Sequence, residues 1–179
     1  MLDRVRPLLP EIAARSAEGE NARAVPADIV AALREAGVFR MSLPTVWGGE
    51  QFGLTEGARV VRGIARADGS TGWTVQVASL SWLFVRSLPR ETLEKVFADG
   101  PDLLSRGAVT AKGRATPVKG GYRLSGRWSL ASGPVTPDWM LAGFLVDGAP
   151  PRPGGLPDLR VALFRTDQVT SSTRGTRSP

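Results

Sequence analysis

The chain has 179 residues, 42% apolar and 22% charged, the balance of a soluble globular protein long enough for one ordinary domain or two small ones. It contains neither cysteine nor histidine, which excludes disulfides, thiolate catalysis, histidine-based triads and sites built on Cys or His metal ligands, so no metal is expected. The net charge of +6 comes from scattered Arg and Lys without a groove-reading or base-stacking motif, so nucleic acid is not an expected partner.

The N-terminus, Met1-Leu2-Asp3-Arg4, lacks a basic region followed by an apolar core, so no signal peptide is expected. Val5, Leu8, Leu9, Ile12 and Ala13 recur at helical spacing, with Asp3 as a cap and Pro7 in the first turn. Pro10 predicts a kink or a later start. Around Ser16–Ala24 the pattern turns polar, and a loop is expected. Pro26 opens a second helix with Ile29, Val30, Leu33 and Ala36 inward, and Gly37 supplies a left-handed stop against which Val38 and Phe39 fold back. Met41–Gly53, rich in glycine, reads as a loop that must bury Trp47 and Phe52.

Thr55 caps a third predicted helix with Ala58, Val61, Ile64 and Ala65 inward, ending near Asp68-Gly69. The next helix, from Ser70, carries two apolar faces: Trp73, Val77, Leu80 and Phe84 on one, Val75, Ala78, Trp82 and Val85 on the other. A helix apolar nearly all round is expected at a domain centre. Its run to Leu88 is broken by Gln76, Ser79, Ser81 and Arg86 and falls short of the roughly 20 apolar residues of a membrane span, so the protein reads as cytoplasmic. A short amphipathic helix after Pro89, with Leu93, Val96 and Phe97, closes at Gly100-Pro101.

The period then changes. Leu103–Thr110 and Arg114–Val118 read as short strands, Gly120-Gly121 as a hairpin turn, Tyr122–Ser132 as a longer strand, and Asp138–Asp147 and Leu159–Phe164 as further strands. From Asp167 the composition predicts disorder. The expected fold class is therefore α+β: an N-terminal helical domain over residues 1–102, a small antiparallel β-barrel domain over 103–166, and a tail over 167–179.

No dinucleotide fingerprint or phosphate-binding loop is present. Gly48-Gly49 and Gly120-Gly121 are explained by turns, and Glu91 and Glu94 by an exposed helix face. What remains is a β-platform with backbone amides, small hydroxyls and an indole. Such a surface suits a planar heteroaromatic cofactor such as a flavin, with Thr110 and Ser132 at strand ends as candidate contacts; both also serve as ordinary strand residues.

Four stretches carry a resemblance: L-R-E-A-G-V-F-R (33–40), L-P-T-V-W-G-G (43–49), A-R-A-D-G-S-T-G-W (65–73) and G-G-Y-R-L-S-G-R-W-S-L-A-S-G (120–133), with D-W-M-L (138–141) beside them. Together they resemble the acyl-CoA dehydrogenase superfamily, most closely its flavin-dependent monooxygenases. The resemblance implies a helical domain, a middle β-barrel and a C-terminal four-helix bundle. That bundle has no counterpart before Pro179, and the ending T-S-S-T-R-G-T-R-S-P reads as a truncated or frame-shifted tail. It implies flavin (FMN or FAD) contacts at Val109, Thr110, Gly113, Ala115, Leu130 and Ser132, with Leu130 where dehydrogenases place a tryptophan and Ser132 replacing a threonine. Trp128 becomes a packing residue; Trp73, Leu80 and Trp82 line the substrate side. Relatives often carry histidines where Leu80 and Thr136 stand here. The implied function is a monooxygenase using reduced flavin and oxygen on an aromatic or heteroatom-containing small molecule. The alternatives are a dehydrogenase-like flavoprotein and a non-catalytic fragment or subunit. A flavin reductase, and a homo-oligomer or completion by another chain, are the implied partners; no catalytic residue is assigned.

Overall fold

A computed structural model describes residues 1–170. Seven α-helices come first: α1 (Leu2–Val5), α2 (Leu9–Ala14), α3 (Ser16–Ala22), α4 (Ala27–Glu35), α5 (Leu54–Ala67), α6 (Gly69–Val85) and α7 (Arg90–Val96). Four strands follow: β1 (Ser105–Val118), β2 (Gly121–Gly126), β3 (Trp139–Val146) and β4 (Leu159–Arg165). The α+β order read from the sequence is the order observed.

The first helix splits at its prolines. Pro7 sits in a 3₁₀ turn over Arg6–Leu8, and Pro10 falls in the first turn of α2, where a missing N–H leaves no bond unmade. The expected loop over 16–24 is instead the helix α3, none of whose residues is buried. Polar residues carry it: Arg15, just before it, bonds Glu18 at 2.7 Å and pairs with Asp28 of α4. Gly37 takes φ 82° after α4, and Val38 and Phe39 turn back into the core with no exposed surface.

α5 is capped at Gly53, two residues before the expected Thr55, and buries Gly57, Val60 and Ile64; the expected Ala58 and Ala65 face outward. Glycine contributes no apolar signal, so the buried Gly57 left no mark in the apolar period. α6 crosses α5 closely, and a Cβ on Gly72 would lie 2.5 Å from the Ala65 Cβ. Asp68 caps α6, accepting from the Thr71 backbone and hydroxyl at 2.6 Å each.

The sheet runs in the order β2-β1-β3-β4. Three details differ from the expected all-antiparallel strands. β1 and β3 pair in parallel, while β1–β2 and β3–β4 are antiparallel. The two short strands over 103–118 are one strand, shifted in register between Ala108 and Gly113. The long strand over 122–132 ends at Gly126, and the chain then leaves the ladder and returns only as a single bridge, Gly107 to Ser132. Of the tail expected from residue 167, Thr166–Gln168 form a 3₁₀ turn closed by the Gln168 side chain on the Arg165 N–H at 3.0 Å; residues 171–179 lie outside the described residues.

Helices and sheet share their cores. Leu104 joins a cluster of Ile29, Leu33, Phe39 and Ile64, and Leu103 and Leu141 join Trp82, Leu93 and Phe97. Arg34 bonds the Asp102 carbonyl at 2.5 Å and the Asp138 carboxylate at 3.2 Å, which also accepts the Leu104 N–H at 2.7 Å. Arg40 pairs with Asp102. These contacts fix where β1 starts against the helices, and so where its far end points.

Candidate functional site

The site is built where β1 bulges. Val109, Thr110, Ala111 and Lys112 have no register partner on either neighbouring strand. Gly143 of β3 faces the bulge, and a Cβ there would clash with the Val109 and Thr110 carbonyls. Beside the bulge comes the returning chain, Ser129–Gly133. Gly107 and Ser132 exchange both backbone hydrogen bonds, at 3.0 and 3.1 Å. The bridge is a single one: Val109, two residues further along β1, has no register partner, and Leu130, two residues back along the returning chain, leaves the extended backbone conformation.

Leu130 has φ 57°, a left-handed conformation that costs a non-glycine residue about 1–2 kcal/mol. It is also 73% exposed, and Val109 is 43% exposed. An exposed leucine gains nothing from burial that would offset this strain. The corner is instead held from behind: the Arg106 Nε and Nη2 both donate to the Ala131 carbonyl, at 3.2 and 2.9 Å. Gly133, at φ 128°, passes so close to Arg106 that a Cβ would lie 2.6 Å from the Arg106 Cβ. The Ser132 hydroxyl has only a 3.5 Å contact to the Leu130 carbonyl.

Of the six expected flavin contacts, Val109 and Thr110 stand in the bulge of β1, and Leu130 and Ser132 stand in the returning chain that Ser132 bridges to Gly107. Gly113 and Ala115 do not present a surface there; both are buried within β1, Ala115 completely. Gly113 is bare because the Trp128 ring occupies the space above it, and the Trp128 Nε1–H donates to the Gly143 carbonyl at 2.8 Å. Trp128 therefore packs, as expected, and anchors the chain just before the corner.

A cleft of about 470 Å³ opens beside the corner. One wall is the Arg15–Val30 region of α2, α3 and α4; the other is the start of α6, Arg106 and residues 131–135. Trp73 and Ser132 both line it. Trp73 is 55% exposed, and it begins a stripe on α6 with Val77, Leu80 and Phe84; Leu80 lies on that stripe outside the cleft lining, and Phe84 is 52% exposed. Trp82 is a correction: only 2% exposed, it donates its indole N–H to the Phe39 carbonyl at 3.1 Å and packs on Phe97 at 5.2 Å. Its face of α6 points into the core, so it drops out of the substrate-lining set.

Charge in the cleft is mostly spoken for. Arg15 is held protonated by the hydrogen bonds it donates to Glu18 and Asp28, which it in turn holds below the usual carboxylate range. Burial pushes Asp68 up, but hydrogen bonds from Thr71, Ser16 and the Ser70 backbone outweigh it and hold the carboxyl low. Arg106 differs: burial alone acts on it, lowering its pKa, and no carboxylate among the described residues pairs with it. Sequence reasoning passed over Arg106. The signal was a lone charge inside the apolar strand run L-L-S-R-G-A-V.

Comparison with known proteins gives this geometry a lineage. Residues 2–93 match the acyl-CoA dehydrogenase N-terminal domain. Over 151 residues the chain is 32% identical to the flavin-dependent monooxygenase, oxygenase subunit HsaA, of Rhodococcus jostii (strain RHA1), covering 83% of this chain and 40% of that protein. Over 138 residues it is 34% identical to the FADH(2)-dependent resorcinol hydroxylase, oxygenase component, of Rhizobium sp. (strain MTP-10005), covering 77% of this chain and 33% of that one. The structure of XiaF from Streptomyces sp., in complex with FADH2 and glycerol, superposes with a TM-score of 0.85 at 26% identity, over 98% of this chain and 44% of XiaF. The chain thus spans less than half the length of these relatives. By the domain that fills its first 93 residues, the chain belongs to the acyl-CoA dehydrogenase family.

Proposed function

We propose that this chain carries the flavin-facing and substrate-facing part of a flavin-dependent monooxygenase that acts on an aromatic small molecule. The observation that carries the reading is the corner itself: a strained, exposed Leu130 beside Val109, the Thr110 and Ser132 hydroxyls, and a bulge outside the sheet ladder. Strain of this kind concentrates at ligand-binding sites. The relatives support it: two are named as oxygenase parts of flavin-dependent enzymes, and one solved structure holds FADH2.

The residues present fit a flavin. Leu130 and Val109 offer apolar cover for a planar ring, and Thr110, Ser132 and the bulge offer hydrogen bonds to its polar edge. Reduced flavin supplies the two electrons that carry one atom of O₂ to water while the other enters the substrate. The protein's part is orientation. Arg106 fixes the Ala131 carbonyl, which holds Ser132 at the edge of the cleft, where its hydroxyl would be one of the groups to hold a flavin beside a ligand. This chain has no histidine, so the groups it can itself offer for proton transfer are carboxylates, hydroxyls and lysine.

The exposed Trp73 and Phe84, with the half-buried Val77 and Leu80 between them and the exposed Leu130, favour a site completed by further helices or by another chain. We infer a homo-oligomer or such a completing chain, a separate reductase that supplies the flavin reduced, and a cytoplasmic setting; no helix among the described residues is long and apolar enough to cross a membrane. Anaerobic titration with reduced FMN and reduced FAD tests the reading. Saturable binding by the folded chain is the expected result, and a folded chain that binds neither would overturn it.

A further inference from the structure

Arg106 spends only one edge of its guanidinium on the corner. Its Nε–H and one Nη2–H point at the Ala131 carbonyl. The two Nη1 protons and the second Nη2 proton have no protein partner among the described residues. Two of those three, the remaining Nη2–H and one Nη1–H, form the end-on fork, the geometry that matches a carboxylate with two parallel hydrogen bonds. The fork belongs to a half-buried residue lining the cleft, with no counter-ion of its own. Arg15, also in that lining, is consumed by Glu11, Glu18 and Asp28. The same cleft contains the exposed Trp73 indole and the apolar side chains of Val25, Ile29 and Val135.

We propose that Arg106 is a specificity-determining anion anchor, and that the cleft takes a flat aromatic molecule bearing a single carboxylate: ring against Trp73, carboxylate on the Arg106 fork. A phosphate fits less well. Glu20 and Asp68 also line the cleft, and they oppose a second negative charge near the fork. Because Arg106 also holds Ala131, the residue that binds the anion is the residue that sets Ser132, which couples recognition of the acid to the position of the corner. The proposal names the substrate class of the site described above and rests on that reading only in calling the ligand a substrate; the binding event needs no flavin.

The test compares phenylacetate with its neutral isostere phenylacetamide by calorimetric titration of the chain without flavin, at low ionic strength. The acid should bind about tenfold tighter, the scale of charge-assisted hydrogen bonds in a partly buried site. In Arg106→Gln the two should bind within about twofold of each other; in Arg106→Lys, which keeps the charge and loses the fork, the preference should fall between. Trp73→Ala should weaken both ligands and leave their ratio intact. Equal affinity or no binding in the unmodified chain would overturn the proposal, even if Arg106→Gln fails to fold. So would an acid preference that survives Arg106→Gln, or displacement of phenylacetate by an equal concentration of inorganic phosphate. Reduced-flavin titration decides the broader reading separately, so failure of one is not failure of the other.

Discussion

The Trp128 indole stands where a side chain on Gly113 would have to be. A Cβ at Gly113 would fall inside van der Waals contact of Trp128 Cζ2, and one at Gly126 would lie 2.8 Å from Trp128 Cη2. Two strands leave out their side chains at one level so that one ring can lie across them and bond the Gly143 carbonyl. Gly113→Ala is expected to destabilise the chain by about 1–3 kcal/mol, because neither the ring nor the paired strand can give way cheaply. Urea unfolding of the variant beside the parent measures this.

Gly72 is a second close approach, and two effects compete there. Alanine in a helix interior gains about 0.8–1.0 kcal/mol over glycine. Against this, the new Cβ would sit 2.5 Å from the Ala65 Cβ and 2.7 Å from its Cα, atoms tied to the α5 backbone. Overpacking against backbone costs about 1–3 kcal/mol, so Gly72→Ala should be net destabilising. Gly69→Ala, three residues earlier in the same helix with nothing within 4 Å, should not be. Comparing the two midpoints separates packing from propensity.

Asp68 gives a prediction in pH. Its folded pKa is held low, so its charged form stabilises the fold above the ordinary carboxylate value of about 3.9, and that contribution disappears as pH falls through the lowered folded value. Asp68→Asn keeps a good N-cap and loses the charge at the α6 N-terminus. At pH 7 it should cost about 0.5 kcal/mol, at the low end because the group is partly exposed and screened. As pH falls through that lowered folded value the difference between the two proteins should shrink toward zero. Thermal melts across pH 2–7 report it.

The sequence showed the fold wherever one residue type decided local structure. Gly37 marked its left-handed turn, Gly120 the tight hairpin between β1 and β2, and Pro26 the start of α4. It failed where structure depends on what lies across the chain. α3 has no buried residue and stands on ion pairs, so no apolar period announced it. The parallel pairing of β1 with β3, and the bulge opposite Gly143, depend on residues some thirty positions apart. At the site, the hydroxyls and the Leu130 corner were legible as a pattern. The inward turn of Trp82 and the corner-holding role of Arg106 were not, because each turns on which partner the side chain reaches, Phe39 for one and Ala131 for the other.

If the Leu130 corner seats the flavin, Leu130→Asn should weaken flavin binding without harming the fold. Asparagine tolerates the left-handed backbone, and Leu130 is 73% exposed, so the variant should fold with a melting temperature no lower than the parent's. It removes the apolar cover of the ring. Anaerobic titration with reduced flavin should show binding weakened about tenfold, the scale of losing most of one leucine's burial. An unchanged affinity in the folded variant would contradict the account.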